Sequence, residues 1–100
     1  MYDMKNLAKL KKFATLTPQS MEAFQALSKA AMADGAIPHK YKELMAVAVA
    51  LTTQCPYCIE VHTKNARSAG ATEAELAEAT MVSAALRAGA SVVHGTHCLE

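Results

Sequence analysis

The sequence has little that would build a β-sheet. It contains no tryptophan, aromatic residues make up only 5% of the chain, and alanine supplies much of the 52% hydrophobic share. Strands favour β-branched and aromatic side chains, whereas small side chains let helices pack closely together. A chain of 100 residues has room for one domain with a modest core. We therefore predict a single all-α domain over residues 1–100.

The sequence also lacks a strong charge of either sign and a long apolar run. Its formal net charge is +1, and only the stretch KNLAKLKK near the start is basic. Nucleic-acid binding needs clustered positive charge, so it is not expected. The longest apolar run, at residues 44–51, is too short to span a bilayer, and lysines interrupt any signal-peptide pattern. We expect a cytoplasmic protein with no nucleic-acid or membrane partner.

Prolines, glycines and capping residues divide the chain into about six helices. The predicted helices cover residues 3–14, 18–33, 38–54, 56–69, 72–87 and 90–98. The signals are an N-cap at Thr17, first-turn prolines at 18, 38 and 56, a Thr72–Glu75 capping-box pair, and glycines 35, 70 and 89 at helix ends. Together they predict a compact helical bundle.

Two of these helices predict self-association. The second half of the third helix is apolar on every side, which is typical of a helix buried in a core or against another subunit. The fifth helix is rich in alanine and carries a further apolar face. A lone domain of this size cannot cover so much apolar surface, so we expect a homo-oligomer.

The stretch CPYCIEVH places Cys55, Cys58 and His62 at the start of the fourth helix. At about 100° per residue, the three side chains fall on one helix face, and Cys58 and His62 are neighbours at i and i+4. The two cysteines are close enough for a disulfide, and a helix N-terminus stabilises a thiolate at Cys55. In the cytosol, this spacing favours a catalytic or metal-binding pair over a structural disulfide.

Two other readings of the cysteines stay open at this point. Cys55 and Cys58 could complete a zinc or iron–sulfur site with the C-terminal cluster of His94, His97 and Cys98, although the two groups lack a recognised ligand spacing. Alternatively, the chain is a structural helical oligomer whose thiols are small buried side chains without a catalytic role.

Glu43 lies where the third helix becomes wholly apolar, with Val47 on the same face. A half-buried carboxylate at this point would suit proton transfer. Position alone leaves a second reading equally open, in which Glu43 faces solvent beside Lys40 and Lys42.

The spacing of Glu43, Cys55, Cys58 and His62 resembles the E-x11-C-x-x-C-x3-H signature of alkylhydroperoxidase D-like proteins, in the carboxymuconolactone decarboxylase superfamily. The resemblance covers roughly residues 17–97. It implies an all-α fold with the CxxC pair at a helix N-terminus, and a thiol-dependent antioxidant peroxidase or disulfide reductase. It also implies that Cys58 reacts with peroxide, that the more exposed Cys55 resolves the intermediate, and that Glu43 and His62 form a proton relay.

Tyr57 departs from the pattern, because the best-known peroxidases of this group have a histidine between the cysteines. A phenol can form hydrogen bonds as an auxiliary group but is a poor base near neutral pH, which favours disulfide exchange over peroxide reduction. The resemblance further implies a hydroperoxide or disulfide substrate, a dithiol protein or small thiol as electron donor, and trimers or hexamers. No cofactor is expected.

Overall fold

A computed structural model describes residues 2–100 of the chain. These residues contain no strand, which confirms the predicted all-α class. Their five α-helices are α1 (Leu10–Leu16), α2 (Pro18–Met32), α3 (His39–Thr53), α4 (Pro56–Ser68) and α5 (Glu73–Gly95). Short 3₁₀ helices, Met4–Lys9 and Thr96–Cys98, flank them. The predicted bounds of α2, α3 and α4 agree with the structure to within one residue at each end.

The two ends of the chain differ from the six-helix prediction. The predicted helix 3–14 consists of a 3₁₀ segment followed by α1. The predicted stop at Gly89 is wrong, because α5 continues through it to Gly95, and residues 90–98 form no separate helix. A glycine inside a helix costs only about 1 kcal/mol relative to alanine, so an otherwise favourable, alanine-rich helix accommodates it.

The capping predictions are confirmed at the start of α5 and only in part at the starts of α2 and α3. Thr72 and Glu75 form the predicted capping box, in which each side chain accepts a hydrogen bond from the backbone of the other. Thr17 occupies the N-cap position of α2, but its hydroxyl donates backwards to the carbonyl oxygen of Phe13 at 2.8 Å. Pro38 is itself the N-cap of α3 and precedes the first helical turn. The sequence therefore located these helix starts better than it predicted the bonds that hold them.

The core is small and lies where α3 packs between α4 and α5. Val47 and Ala50 of α3 and Ala66 of α4 are its buried apolar residues. The buried Ser83 of α5 donates its hydroxyl hydrogen to the carbonyl oxygen of Ala48, 3.1 Å away. Small side chains at these contacts let the three helices approach closely. The α3–α4–α5 unit carries the candidate site.

Much apolar surface of the single chain is uncovered. α2 has no buried residue and packs chiefly on α1. Val49 of α3 and Leu86 and Val93 of α5 are 60%, 68% and 66% exposed. The Cα radius of gyration is 16.6 Å, against about 13 Å for a globular chain of this length. In one chain, therefore, the second half of α3 is buried on one side only.

The last long helix and its 3₁₀ extension, Glu73–Cys98, are long and apolar enough to cross a membrane by length and composition alone. The mean hydropathy of the most apolar 18 residues is 1.2, and 11% of that window is buried. A single such helix is weak evidence, because core helices of soluble proteins meet the same criterion. The absence of a membrane partner stays a prediction.

Candidate functional site

The sulfur of Cys55 lies at the N-terminus of α4. Cys55 is the N-cap residue and Pro56 occupies the first turn, so the predicted CxxC pair straddles the helix start. The backbone N–H of Cys58 donates to the Cys55 sulfur at 3.4 Å. This bond, the thiol of Cys58 and the backbone N–H of Tyr57 hold the pKa of Cys55 below its ordinary value. The local geometry thus favours a thiolate at Cys55, as helix-end electrostatics predicts.

The pKa of the Cys58 thiol is shifted in the opposite direction. The thiol donates a hydrogen bond to the sulfur of Cys55, and this bond, partial burial of the thiol and the negative charge that Cys55 gains on ionisation raise the pKa of Cys58. Cys58 is exposed and Cys55 is half-buried in the single chain, the reverse of the exposure that the family resemblance implied. All three cysteines are free in this structure.

Glu43 and His62 come together across the contact between α3 and α4. The Oε2 atom of Glu43 lies 2.7 Å from Nδ1 of His62, and Glu43 is only 2% exposed. Lys40 pairs instead with Glu75 at 3.0 Å, and Lys42 donates to a backbone carbonyl group. The solvent-facing reading of Glu43 is therefore wrong, and the buried reading is confirmed.

His39, which the sequence pattern did not single out, is a second imidazole beside the carboxylate of Glu43. Its Nε2 atom lies 3.4 Å from Oε1 of Glu43, and its Nδ1 atom lies 2.5 Å from the carbonyl oxygen of Met32. The signal was available, since His39 and Glu43 are separated by four residues at the start of a helix. The surrounding lysines made this segment look like a solvated face.

A cleft of about 500 Å³ opens where α4 faces α2 and the N-terminal segment. Its polar lining includes Cys58, His62, Glu43 and Tyr57. Its apolar walls are formed by Leu7, Leu10, Phe24, Met32 and Val61. Cys55 is not among the described residues that line it. The cleft therefore combines a polar part at Cys58 and His62 with an apolar wall, as small-molecule sites commonly do.

Tyr57, the predicted auxiliary residue, holds the N-terminal segment in place. Its hydroxyl oxygen accepts a hydrogen bond from Nδ2 of Asn6 at 3.0 Å and faces the backbone N–H of Asp3 at 3.4 Å. The rings of Tyr2 and Tyr57 meet edge to face, with 5.8 Å between centroids. These contacts give Tyr57 a structural role at the edge of the cleft.

The alternative metal site is not assembled. The rings of His94 and His97 lie 5.8 Å apart, beside Cys98 at the end of α5. Within residues 2–100, no group of three or more histidine, cysteine or acidic side chains is placed to hold a metal ion. The structure therefore does not bring Cys55 and Cys58 into a ligand set with these three residues.

A sequence profile of the carboxymuconolactone decarboxylase family matches residues 18–100. The chain therefore belongs to the carboxymuconolactone decarboxylase family, which confirms the resemblance based on Glu43, Cys55, Cys58 and His62. Among its relatives is the protein named uncharacterized protein 4 in cox locus, from Paracoccus denitrificans. The two are 53% identical over 78 residues, which is 78% of this chain and 70% of that protein.

Two solved structures share the fold. One is a carboxymuconolactone decarboxylase family protein from Legionella pneumophila, with a TM-score of 0.78 and 36% identity, covering 90% of this chain and 80% of that one. The other is a protein from Methanobacterium thermoautotrophicum, with a TM-score of 0.82 and 32% identity, covering 88% of this chain and 99% of that one. The helical arrangement is thus shared with a solved member of the same family.

Proposed function

We propose that this chain is a thiol-dependent oxidoreductase whose Cys55 and Cys58 cycle between two thiols and one disulfide. The observation that carries the proposal is the sulfur pair at the start of α4, where hydrogen bonds lower the pKa of Cys55 and raise the pKa of Cys58. The hydrogen-bonded Glu43–His62 pair, in which only Glu43 is buried, shares a cleft with Cys58, which supports a role in proton transfer. The family includes enzymes, in keeping with a catalytic role.

Disulfide reduction is the reaction that the thiol geometry supports best. The Cys55 thiolate attacks one sulfur of a substrate disulfide, forming a mixed disulfide and releasing one thiol, which takes a proton from solvent. Cys58 loses its proton to His62 and attacks the Cys55 sulfur. This closes the Cys55–Cys58 disulfide, and the second substrate thiol leaves with a proton. A dithiol protein or small thiol then reduces the pair, with its mixed disulfide at Cys55.

Hydroperoxide reduction is the second candidate, and the shared cleft of Cys58 and His62 favours it. In this reaction the Cys58 thiolate attacks the outer peroxide oxygen, the O–O bond breaks, and an alcohol leaves after taking a proton from His62. The resulting sulfenic acid condenses with Cys55, which forms the disulfide and releases water. Both candidates produce the same oxidised protein.

Trapping the mixed disulfide tests the proposal. In a Cys98→Ser background, Cys58→Ser should accumulate a mixed disulfide at Cys55 and lose turnover, because no second thiol remains to resolve it. Cys55→Ser should lose turnover without accumulating such an adduct. The assay measures thiol release from a small disulfide and the mass of the intact protein, and a parallel assay follows consumption of an alkyl hydroperoxide. Full turnover of either single variant in both assays would rule out the two-cysteine cycle.

We also propose that the chain assembles with further copies of itself. Its accessible surface is 7752 Å², about 2,300 Å² more than a folded monomer of this mass exposes on average. The excess is of the size that a stable oligomer interface buries. The exposed apolar residues of α5, which include Leu86 and Val93, supply a matching surface for a second copy.

Proteins of this family are typically soluble. A cytoplasmic location is part of the proposal, because a cysteine pair that must return to the dithiol form needs a reducing compartment. Fractionation of the host cell with an antibody to the chain would test it, and recovery of the protein in a membrane or extracellular fraction would contradict it.

A further inference from the structure

An apolar groove runs along one face of α2 and joins the cleft that holds Cys58. The groove has a volume of about 470 Å³ and lies between α1 and α2. The two spaces adjoin, because four residues line both: Leu10, Phe24, Ser28 and Lys29. The α2 residues that line them recur every three or four positions from Met21 to Met32, which places them on one helix face. At a rise of about 1.5 Å per residue, this face is about 16 Å long.

The walls of the groove are mostly apolar and reach solvent. Phe24 is 60% exposed and Leu10 is 45% exposed. Ala14 and Met21 extend the apolar lining away from the cleft. A concave apolar wall of this length suits an aliphatic chain, because each methylene group that it removes from water adds to the free energy of binding.

Two lysines give the groove a positive charge. Lys11 of α1 and Lys29 of α2 both line it, and no acidic side chain of the described residues does. No ion pair within residues 2–100 involves either lysine. In the adjoining cleft, the carboxylate of Glu43 is hydrogen-bonded to His62. Ammonium groups form their strongest hydrogen bonds with anions, so the groove is complementary in charge to a carboxylate.

We propose that this groove binds a long-chain aliphatic carboxylate, and that hydroperoxides of such acids are the substrates of the adjoining cleft. The carboxylate lies at Lys11 and Lys29, and the chain extends along α2 towards Cys58. The Cys58 thiolate attacks the outer peroxide oxygen, the O–O bond breaks, and the hydroxy acid leaves with a proton from His62. Water leaves when Cys55 closes the disulfide. Binding of the carboxylate needs no redox chemistry, whereas its use as a substrate rests on the proposed function.

Calorimetry with laurate, below its micelle concentration, tests binding to the full chain. We expect laurate to bind at least about a hundredfold more tightly than butyrate, because its longer chain buries more apolar surface. Lys29→Gln should weaken laurate binding about fivefold, since it removes one cationic partner. Lys12→Gln is the matched control, because Lys12 is exposed beside Lys11 but does not line the groove. Equal affinities for laurate and butyrate, or equal effects of the two variants, would overturn the proposal.

A second pair of variants adds a negative charge with little change of shape. Gln25→Glu places a carboxylate in the lining of the groove, so it should weaken laurate binding even if Lys29→Gln does not fold. Gln19→Glu makes the same change at an exposed position of α2 outside the groove and should have no effect. Dodecyltrimethylammonium, a cation with the same chain, should bind more weakly than laurate and gain affinity in Gln25→Glu. Tight binding of both probes, unaffected by Gln25→Glu, would overturn the proposal.

Alkylation of the thiols shows whether the bound chain reaches the cleft. At about ten times its Kd, laurate should slow the reaction of iodoacetamide with Cys58 about fivefold or more. Cys98, in the C-terminal 3₁₀ helix, should react as before. Unprotected Cys58 would overturn the substrate assignment. If laurate binds and protects Cys58 but no hydroperoxide is reduced, the proposed function fails and the groove stands. If tert-butyl hydroperoxide is reduced but laurate does not bind, the groove proposal alone fails.

Discussion

Glu43 and His62 form a part-buried hydrogen bond of 2.7 Å between residues nineteen positions apart in the chain. The bond joins α3 to α4 immediately below the first turn of α4, which carries Cys58. A carboxylate this deeply buried requires partners, since an unpaired charge in a low-dielectric site is strongly unfavourable. The pair therefore couples the packing of two helices to the protonation of a side chain in the cleft.

Replacing the carboxylate should impair chemistry more than folding. Glu43→Gln keeps the shape and hydrogen-bonding capacity of the side chain but removes its charge, so Nδ1 of His62 loses its carboxylate partner. We expect turnover with a disulfide substrate to fall at least about tenfold, with a change of about 1 kcal/mol or less in the free energy of unfolding. Glu60→Gln, an exposed change on α4, is the control and should alter neither. Equal losses in both variants would argue against a specific role.

Thiol reactivity should report the asymmetry of the two cysteines. Because the pKa of Cys55 is lowered and that of Cys58 is raised, iodoacetamide should modify Cys55 first at neutral pH. Cys58→Ala removes one donor to the Cys55 sulfur, so the alkylation profile of Cys55 should move towards higher pH. Peptide mass mapping over a pH series measures both effects, with Cys98 as an internal reference. Preferential modification of Cys58 would reverse the assignment.

The lowered pKa of Cys55 also makes the stability of the fold depend on pH. A group whose pKa is lower in the folded than in the unfolded chain stabilises the fold once pH exceeds its unfolded value, and this contribution is lost as pH falls through the folded value. Denaturant unfolding on either side of the Cys55 titration should show Cys55→Ser losing a contribution at the alkaline end only, when it is measured in a Cys58→Ser background that removes the opposite shift of Cys58. A difference that is constant with pH would indicate lost packing.

Two glycines should respond oppositely to alanine. Gly89 lies inside α5, and a Cβ atom there would meet nothing within 4 Å, so Gly89→Ala should stabilise the chain by about 0.4–1 kcal/mol. Gly70 follows α4 with φ of 95°, a left-handed conformation that alanine adopts at a cost of about 1 kcal/mol, so Gly70→Ala should destabilise it. Urea unfolding measures both. Destabilisation by Gly89→Ala would indicate that the glycine ends a helix after all.

The exposed apolar face of α5 should hold copies of the chain together. We expect light scattering with size-exclusion chromatography to give a mass above the 10.6 kDa of one chain. Leu86→Glu and Val93→Glu should lower that mass, because each places a charge in a face that is apolar and more than 60% exposed in the single chain. Lys64→Glu, an exposed change on α4, is the control. A monomeric wild type would contradict the proposed assembly.

Local patterns predicted much of this fold and part of this site. The four-residue step from Cys58 to His62 and the capping residues of α5 are decided by neighbours in sequence, so helical geometry was enough to interpret them. Gly89 was misread because a helix end depends on whether the following residues favour continuation, and the alanine-rich sequence on both sides does so. The overall all-α class followed from composition for the same local reasons.

The hydrogen bonds of the thiols and of His39 depend on contacts that cannot be read from the spacing of residues in the sequence. The lowered pKa of Cys55 comes first from the backbone N–H of Cys58, as its N-cap position predicts. The raised pKa of Cys58 depends on the direction of the thiol–thiol hydrogen bond, and sequence spacing does not fix that direction. His39 reaches Glu43 within one helix, but its second bond goes to Met32 at the end of another. The burial of Glu43 likewise became visible only when α4 was packed against α3.

The cleft has walls of two different kinds. Its reactive side belongs to α3 and α4, which are held by the core around Val47 and Ala66, whereas its opposite side is supplied by α1, α2 and the segment tethered at Tyr57. Few contacts join α1, α2 and the N-terminal segment to the rest of the chain. Substitutions there should therefore change the width and chemistry of the cleft at a small cost in the free energy of unfolding. In the proposed oxidoreductase, selectivity for a substrate would therefore depend on this opposite side of the cleft, whereas the sulfur chemistry would depend on the reactive side.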